Sequence, residues 1–244
     1  MRSLAASELL GIWEQNGDAS PAARALALLG ASCPEDADEL PALSVGARDS
    51  RLLALRELLF GTTLSVVATC PACREQLELS LRTDELRVAA AEPTDEPFIV
   101  EPPGWRVRAR LVNAGDLLAI ANLTDASAAR RLLLARCVLE AERDGVAVGP
   151  DTLPDAVVDA IAARMEAEDP LGDARLGLCC PACGDAWSAR FDATTLFWEE
   201  IEACAHRLLN EVHAIASIYG WDERDILAMS PSRRRVYLSL VGAS

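Results

Sequence analysis

Lysine does not occur in this chain. That excludes Schiff-base lysine chemistry, the phosphate-loop lysine and the kinase lysine. Histidine is almost as scarce: His206 and His213 are the only two, so any histidine-based acid–base catalysis must use one of them. No run approaches the ~18 apolar residues of a membrane span. The opening MRSLAASELLGIWEQ carries Glu8 and Glu14 and no long apolar stretch, so it does not read as a signal peptide, and the expected location is the cytoplasm. Positive charge is in deficit as well. The 23 arginines face 38 acidic residues, and the resulting net charge of −15 opposes nucleic acid and anionic membrane unless a local basic patch overrides it. What is present is apolar: 51% of the 244 residues, enough to bury a core in one large domain or two small ones.

Periodicity divides the chain into five stretches. Residues 1–61 read as helical. Ser20-Pro21 makes a helix start, Gly30 is expected to stop that helix, and a longer one follows with Leu52, Leu55 and Leu59 on one face and Gly61 at its end. Residues 62–112 change to period two. Strands flank a Cys-Pro-Ala-Cys, and a hairpin turns at Pro102-Pro103-Gly104, with Trp105, Val107, Ala109 and Leu111 facing in and Arg106, Arg108 and Arg110 facing out. The acidic, proline-containing stretch 90–97 reads as a loop. Residues 113–173 read as helical again, with Asp125 as a cap, Gly145 as a stop, and a further helix between Pro154 and Pro170. Residues 174–194 repeat the strand, Cys-Pro-Ala-Cys, strand pattern. Residues 195–244 form a long helix striped by Phe197, Ile201, Cys204, Leu208, Val212, Ile215 and Tyr219, then a short helical hairpin. The expected fold is α+β and mostly helical: a small split zinc ribbon with an inserted helical segment, and a long C-terminal helix.

Eight cysteines stand at 33, 70, 73, 137, 179, 180, 183 and 204. Cys70-Pro-Ala-Cys73 and Cys180-Pro-Ala-Cys183 each read as a zinc knuckle, a tight turn that aims two thiolates at one point. Two knuckles complete a tetrahedral four-thiolate site, which has no open position and so is structural. One zinc per chain is expected, although residues 74–179, 106 in all, separate the pairs. Three other readings compete: redox-active pairs of the thioredoxin kind, which need a strand-to-helix context, metal-free turns, and Cys179 as an alternative ligand beside Cys180. Cys179 is expected to point away from the metal, and Cys33, Cys137 and Cys204 to be small core residues.

On the long helix, Glu199, Glu202, His206, Asn210 and His213 fall opposite the apolar stripe. They read as a second metal or acid–base site, and through it a metal-dependent hydrolase, or as a plain solvated or partner-binding face. The C-terminal segment can be read as a helix-turn-helix with Arg233, Arg234 and Arg235 on phosphate, which would make the chain a zinc-ribbon DNA-binding regulator. The competing reading packs Trp221, Ile226, Leu227, Tyr237 and Leu240 over the long helix and leaves the arginines solvated.

Four pieces together resemble a family from contractile phage tails and related bacterial contractile injection systems: LLGIWEQ, LSVGARDSRLLALRELLFG, the two knuckles, and HAIASIYGWDERDILAMSPSRRRVYLSLV. Its members are described as baseplate proteins or baseplate hub assembly chaperones of the T-even type. The resemblance implies a non-enzymatic protein that binds baseplate or hub and spike proteins, with no nucleic-acid or membrane partner. It places the protein in the cytoplasm or within an assembled particle. Arg74 departs from the glycine common at that knuckle position, kept at Gly184, so the first knuckle is expected to be less regular. The expected partner surface is the C-terminal unit: Trp221, Arg233, Arg234, Arg235, His206 and His213. On this reading Arg234→Glu leaves the fold intact.

Overall fold

The computed structural model describes residues 1–89, 96–240 and 242. It is about 57% helical, with small antiparallel sheets, and so has the expected mostly helical α+β character. Three helices open the chain: α1 (Ala6–Asn16), α2 (Pro21–Ser32) and α3 (Val45–Phe60). Ser20 and Ser44 cap α2 and α3 through their hydroxyls, which accept from the backbone N–H of Ala23 and Ala47. Gly61, at φ 88°, ends α3 as expected. Gly30 does not end α2. The helix runs on to Ser32 and stops where Pro34 can supply no N–H.

Strands β1 (Thr63–Thr69) and β2 (Gln76–Arg82) then form a two-stranded ribbon, followed by α4 (Thr83–Ala89). The loop expected at 90–97 lies, apart from Glu96 and Pro97, outside the described residues. A second ribbon, β7 (Arg175–Cys179) and β8 (Ala186–Arg190), leads into α8 (Ala193–Tyr219), so the strand–knuckle–strand–helix repeat is present twice. The chain closes with α9 (Glu223–Leu227) and α10 (Pro231–Leu240).

Between the ribbons the chain is not purely helical, which corrects the reading of residues 113–173. Strands β3 (Phe98–Val100) and β4 (Trp105–Ala109) do form the expected hairpin. They continue, however, into a four-stranded sheet with β5 (Val138–Arg143) and β6 (Val146–Ala147). Helix α6 (Ala126–Cys137) therefore ends eight residues short of the expected Gly145 stop. Leu, Glu, Ala and Arg in 138–143 favour helix locally, but the open edge of β4 needs a hydrogen-bonding partner and β5 supplies it. Asp144 and Gly145 both take positive φ, 48° and 81°. They make a tight hairpin turn, the role an Asp-Gly pair fills best.

This middle segment has its own core, in which Phe98, Val107 and Ala109 of the sheet meet Val157 and Ile161 of α7 (Asp155–Glu168). Trp105, Val107, Ala109 and Leu111 face in as expected. Arg110 does not stay out with Arg106: it bonds the fully buried Asp116, at the start of α5 (Ala114–Ile120), with Arg136 alongside. Burial pushes the Asp116 carboxyl up, but the donors from Arg110, the Asn113 backbone and Arg136 outweigh it and hold the pKa at about 2. The main core lies elsewhere, where α1, α2 and α3 pack on α8 through Leu9, Leu28, Leu29, Leu52, Leu55, Phe197, Ile201 and Leu208. No described helix is long and apolar enough to cross a membrane.

Candidate metal centre

Both knuckles are built by the same two backbone bonds. After Thr69 pairs with Gln76, the Cys70 N–H donates to the Glu75 carbonyl (2.9 Å) and the Arg74 N–H to the Cys70 carbonyl (3.0 Å). After Cys179 pairs with Ala186, Cys180 donates to Asp185 (2.8 Å) and Gly184 to Cys180 (2.9 Å). Each turn needs one residue in the left-handed region, supplied by Gly184 at φ 76° and by Arg74 at φ 66°. The first knuckle is thus as regular as the second, against expectation, and Arg74 bears the backbone strain that glycine avoids. Replacing it with glycine, Arg74→Gly, should stabilise the protein by roughly 0.5–1 kcal/mol. Chemical denaturation of the metal-loaded protein measures this, and a loss of stability would show that the Arg74 side chain matters more than its backbone.

The ribbons are rooted on the helical core. Leu53 of α3, Leu64 of β1, Leu171 and Phe191 share one cluster at their base. Arg56 of α3, 2% exposed, holds Glu200 of α8 through two bonds of 2.8 and 2.6 Å and donates to the Thr63 carbonyl at 2.7 Å. That pair, which periodicity does not reveal, fixes the start of β1 against α8.

At the tips, the four knuckle thiols converge, all within 4.8 Å of one another. The cross-ribbon separations are 3.7 Å for Cys70–Cys183 and 3.6 Å for Cys73–Cys180. A disulfide needs about 2.05 Å. A tetrahedral tetrathiolate with metal–sulfur bonds of about 2.3 Å has sulfur–sulfur edges of about 3.8 Å. The set therefore has the dimensions of a single-ion site and can hold a metal ion. Cys70 and Cys180 are buried beside Leu77 and Trp187, while Cys73 and Cys183 face outward. Backbone N–H groups of Cys183 and Ala182 draw the Cys180 thiol down to about 7. The Asp185 backbone lowers Cys183 too, but the crowding thiols of Cys73, Cys180 and Cys70 outweigh it and carry it to about 12. Four thiolates cannot coexist this closely without a cation between them.

The redox reading lacks its context, because each pair opens into a strand rather than a helix. Cys179 stands outside the set, exposed, with its thiol 3.8 Å from the Gly184 carbonyl. Cys33, Cys137 and Cys204 are buried, as expected.

The other singled-out residues do not all form one site, although His206, Asn210 and Arg235 line one groove between α8 and α10. Among the described residues the knuckle cysteines are the one cluster of metal-ligating side chains, so His206 and His213 do not build a second. His206 instead meets Trp13 of α1 edge-on, with ring centres 5.3 Å apart. His213 is exposed. Trp221 stacks on Tyr219 (4.6 Å) and meets Tyr237 edge-on (4.9 Å), sealing the helical hairpin. Leu240, expected to help cover α8, is 69% exposed. The three arginines of α10 diverge. Arg233 lies over Tyr237, Arg235 is exposed, and Arg234 is buried against Glu211. The expectation that Arg234 is solvated is therefore wrong.

Comparison with family models, with curated proteins and with solved structures returned no match.

Proposed function

We propose that this chain is a non-enzymatic component of a contractile phage tail or bacterial contractile injection system, either a baseplate protein or a baseplate hub assembly chaperone. One structural zinc held by Cys70, Cys73, Cys180 and Cys183 keeps its shape. A four-thiolate set suits zinc, and with every coordination position taken by protein there is none left for substrate. The observation that supports the reading most is where the resembling segments lie. LLGIWEQ is in α1, LSVGARDSRLLALRELLFG spans α3, and the last segment runs through α8, α9 and α10. Helices α1, α3 and α8 form one packed core, with both knuckle ribbons rooted on it. The first two segments thus belong to that core, and the last joins it through Leu227 and through the far end of α8. On this reading the protein works in the cytoplasm or within an assembled particle, and it binds hub, spike or baseplate proteins through helical surfaces.

The test is capture of the tagged chain from its native host during tail assembly, with the co-purifying proteins identified by mass spectrometry. Baseplate, hub or spike proteins in fixed ratio to the chain are the expected result. Recovery of DNA without tail proteins would overturn it in favour of a regulator.

A further inference from the structure

A groove of about 730 Å³ runs between α8 and α10. Its floor on α8 is the stripe Ala203, Arg207, Asn210 and Ala214, and its wall on α10 includes Arg235 and Leu238. The four floor positions follow helical spacing along one face for about 16 Å, roughly three turns. Two alanines keep that face shallow enough for another helix to approach closely. The groove is open and largely apolar, and the stripe that buries α8 in the core lies on a different side.

The groove also reverses the sign of the molecule around it. Arg207 and Arg235 are both exposed, and among the described residues neither has a carboxylate partner. Their side-chain hydrogen bonds go to neutral groups: Arg207 to the Cys204 sulfur at 3.2 Å and Arg235 to the Ser232 hydroxyl at 3.4 Å. The one carboxylate in the lining, Glu211, is engaged by Arg234 at 2.7 Å. In a chain of net charge −15, an apolar groove flanked by two uncompensated guanidiniums is an exception.

The geometry points to this groove as the docking site for an acidic amphipathic helix of a partner protein. The apolar face of that helix lies on Ala203, Ala214 and Leu238, and its carboxylates meet Arg207 and Arg235. An apolar helix face set into a groove supplies the contact area, and bidentate guanidinium–carboxylate pairs fix register and exclude basic partners. The assignment rests on the proposal that the chain is a partner-binding protein, and it names the surface and the chemistry of that partner.

The experiment uses the metal-loaded full chain and two synthetic helical peptides. They share a Leu/Ala face and differ only in flanking residues, Glu in one and Lys in the other. Fluorescence anisotropy should show binding of the Glu peptide and not of the Lys peptide. The double change Arg207→Glu with Arg235→Glu should weaken the Glu peptide about tenfold or more and admit the Lys peptide. Ala214→Trp should block both by filling the floor. Circular dichroism and melting curves confirm that each variant is folded. If a variant unfolds, Arg235→Gln and Arg207→Gln, which remove charge without reversing it, replace it. Failure of the Glu peptide to bind, or binding indifferent to all these changes, overturns the assignment. So does binding of duplex DNA lost with the same arginines, or a self-associated dimer, seen by sedimentation, that the same changes dissolve. The peptide result does not depend on contractile tails. Tail proteins captured by a double variant with a closed groove would sink the groove alone, and absence of tail proteins from the parent capture would sink the baseplate reading alone.

Discussion

Cys180→Ser is expected to release the metal and to lower the melting temperature by about 10 °C. Cys180 is 1% exposed, and its thiol stands 3.6 Å from that of Cys73 on the opposite ribbon. Structural zinc contributes on the order of 10 kcal/mol where the apo site is unformed. Here the ribbon bases stay anchored by Leu53, Leu64, Phe191 and the Arg56–Glu200 pair, so only part of that is lost. A loss of about 4 kcal/mol corresponds to the expected shift for a chain of this size. Elemental analysis should find one zinc per parent chain and none in the variant. Hydrogen exchange should quicken in β1, β2, β7 and β8 before it does in α1, α3 and α8. Cys179→Ser serves as the control and should keep both metal and melting point, because that thiol faces away from the set. A variant that lost its metal and still melted like the parent would show the knuckles to be dispensable.

Arg234→Glu is expected to destabilise the protein by about 3–5 kcal/mol, enough to leave it partly unfolded in mild denaturant. Arg234 is 4% exposed. Its Nε donates to Glu211 at 2.7 Å and its Nη1 to the Met229 carbonyl at 2.7 Å, which ties the end of the α9 turn and α10 to α8. Reversal sets two carboxylates against each other where water screens them poorly, and it orphans the Met229 carbonyl. Arg235→Glu, one residue on and exposed, should change stability by no more than about 0.5 kcal/mol. Urea denaturation of the pair makes the comparison, and equal midpoints would contradict the burial of Arg234.

The three consecutive arginines show what a linear reading of charge omits. At positions 233–235 composition offers one basic cluster, yet helical geometry turns successive side chains about 100° apart, and each meets a different neighbour. One reaches an aromatic ring, one a half-buried carboxylate and one solvent. The same limit applies within α3, where Arg48 and Arg51 look alike in the sequence but only Arg51 reaches the surface, near Asp36. Arg48 is 5% exposed and paired with Asp49, so it belongs to the interior.

The sequence by itself determined the elements that local chemistry dictates. Ser20, Ser44 and Asp192 set helix starts, because a short side-chain oxygen satisfies an otherwise unbonded N–H. Period-two alternation set β1, β2, β7 and β8. The Cys-X-X-Cys spacing set the four cysteines that can hold a metal ion, since two residues between thiols fix a turn whatever lies around it. Tertiary structure decided what depends on partners distant in the chain. Residues 138–143 have helical propensity and became strand because β4 left an edge open beside them. Arg56 and Arg234 became structural because Glu200 and Glu211 approach from another helix. The groove exists only because α10 folds back along α8 at a distance that leaves Ala203 and Ala214 uncovered. Burial and charge pairing across long sequence separations are properties of the packed chain, and no local pattern encodes them.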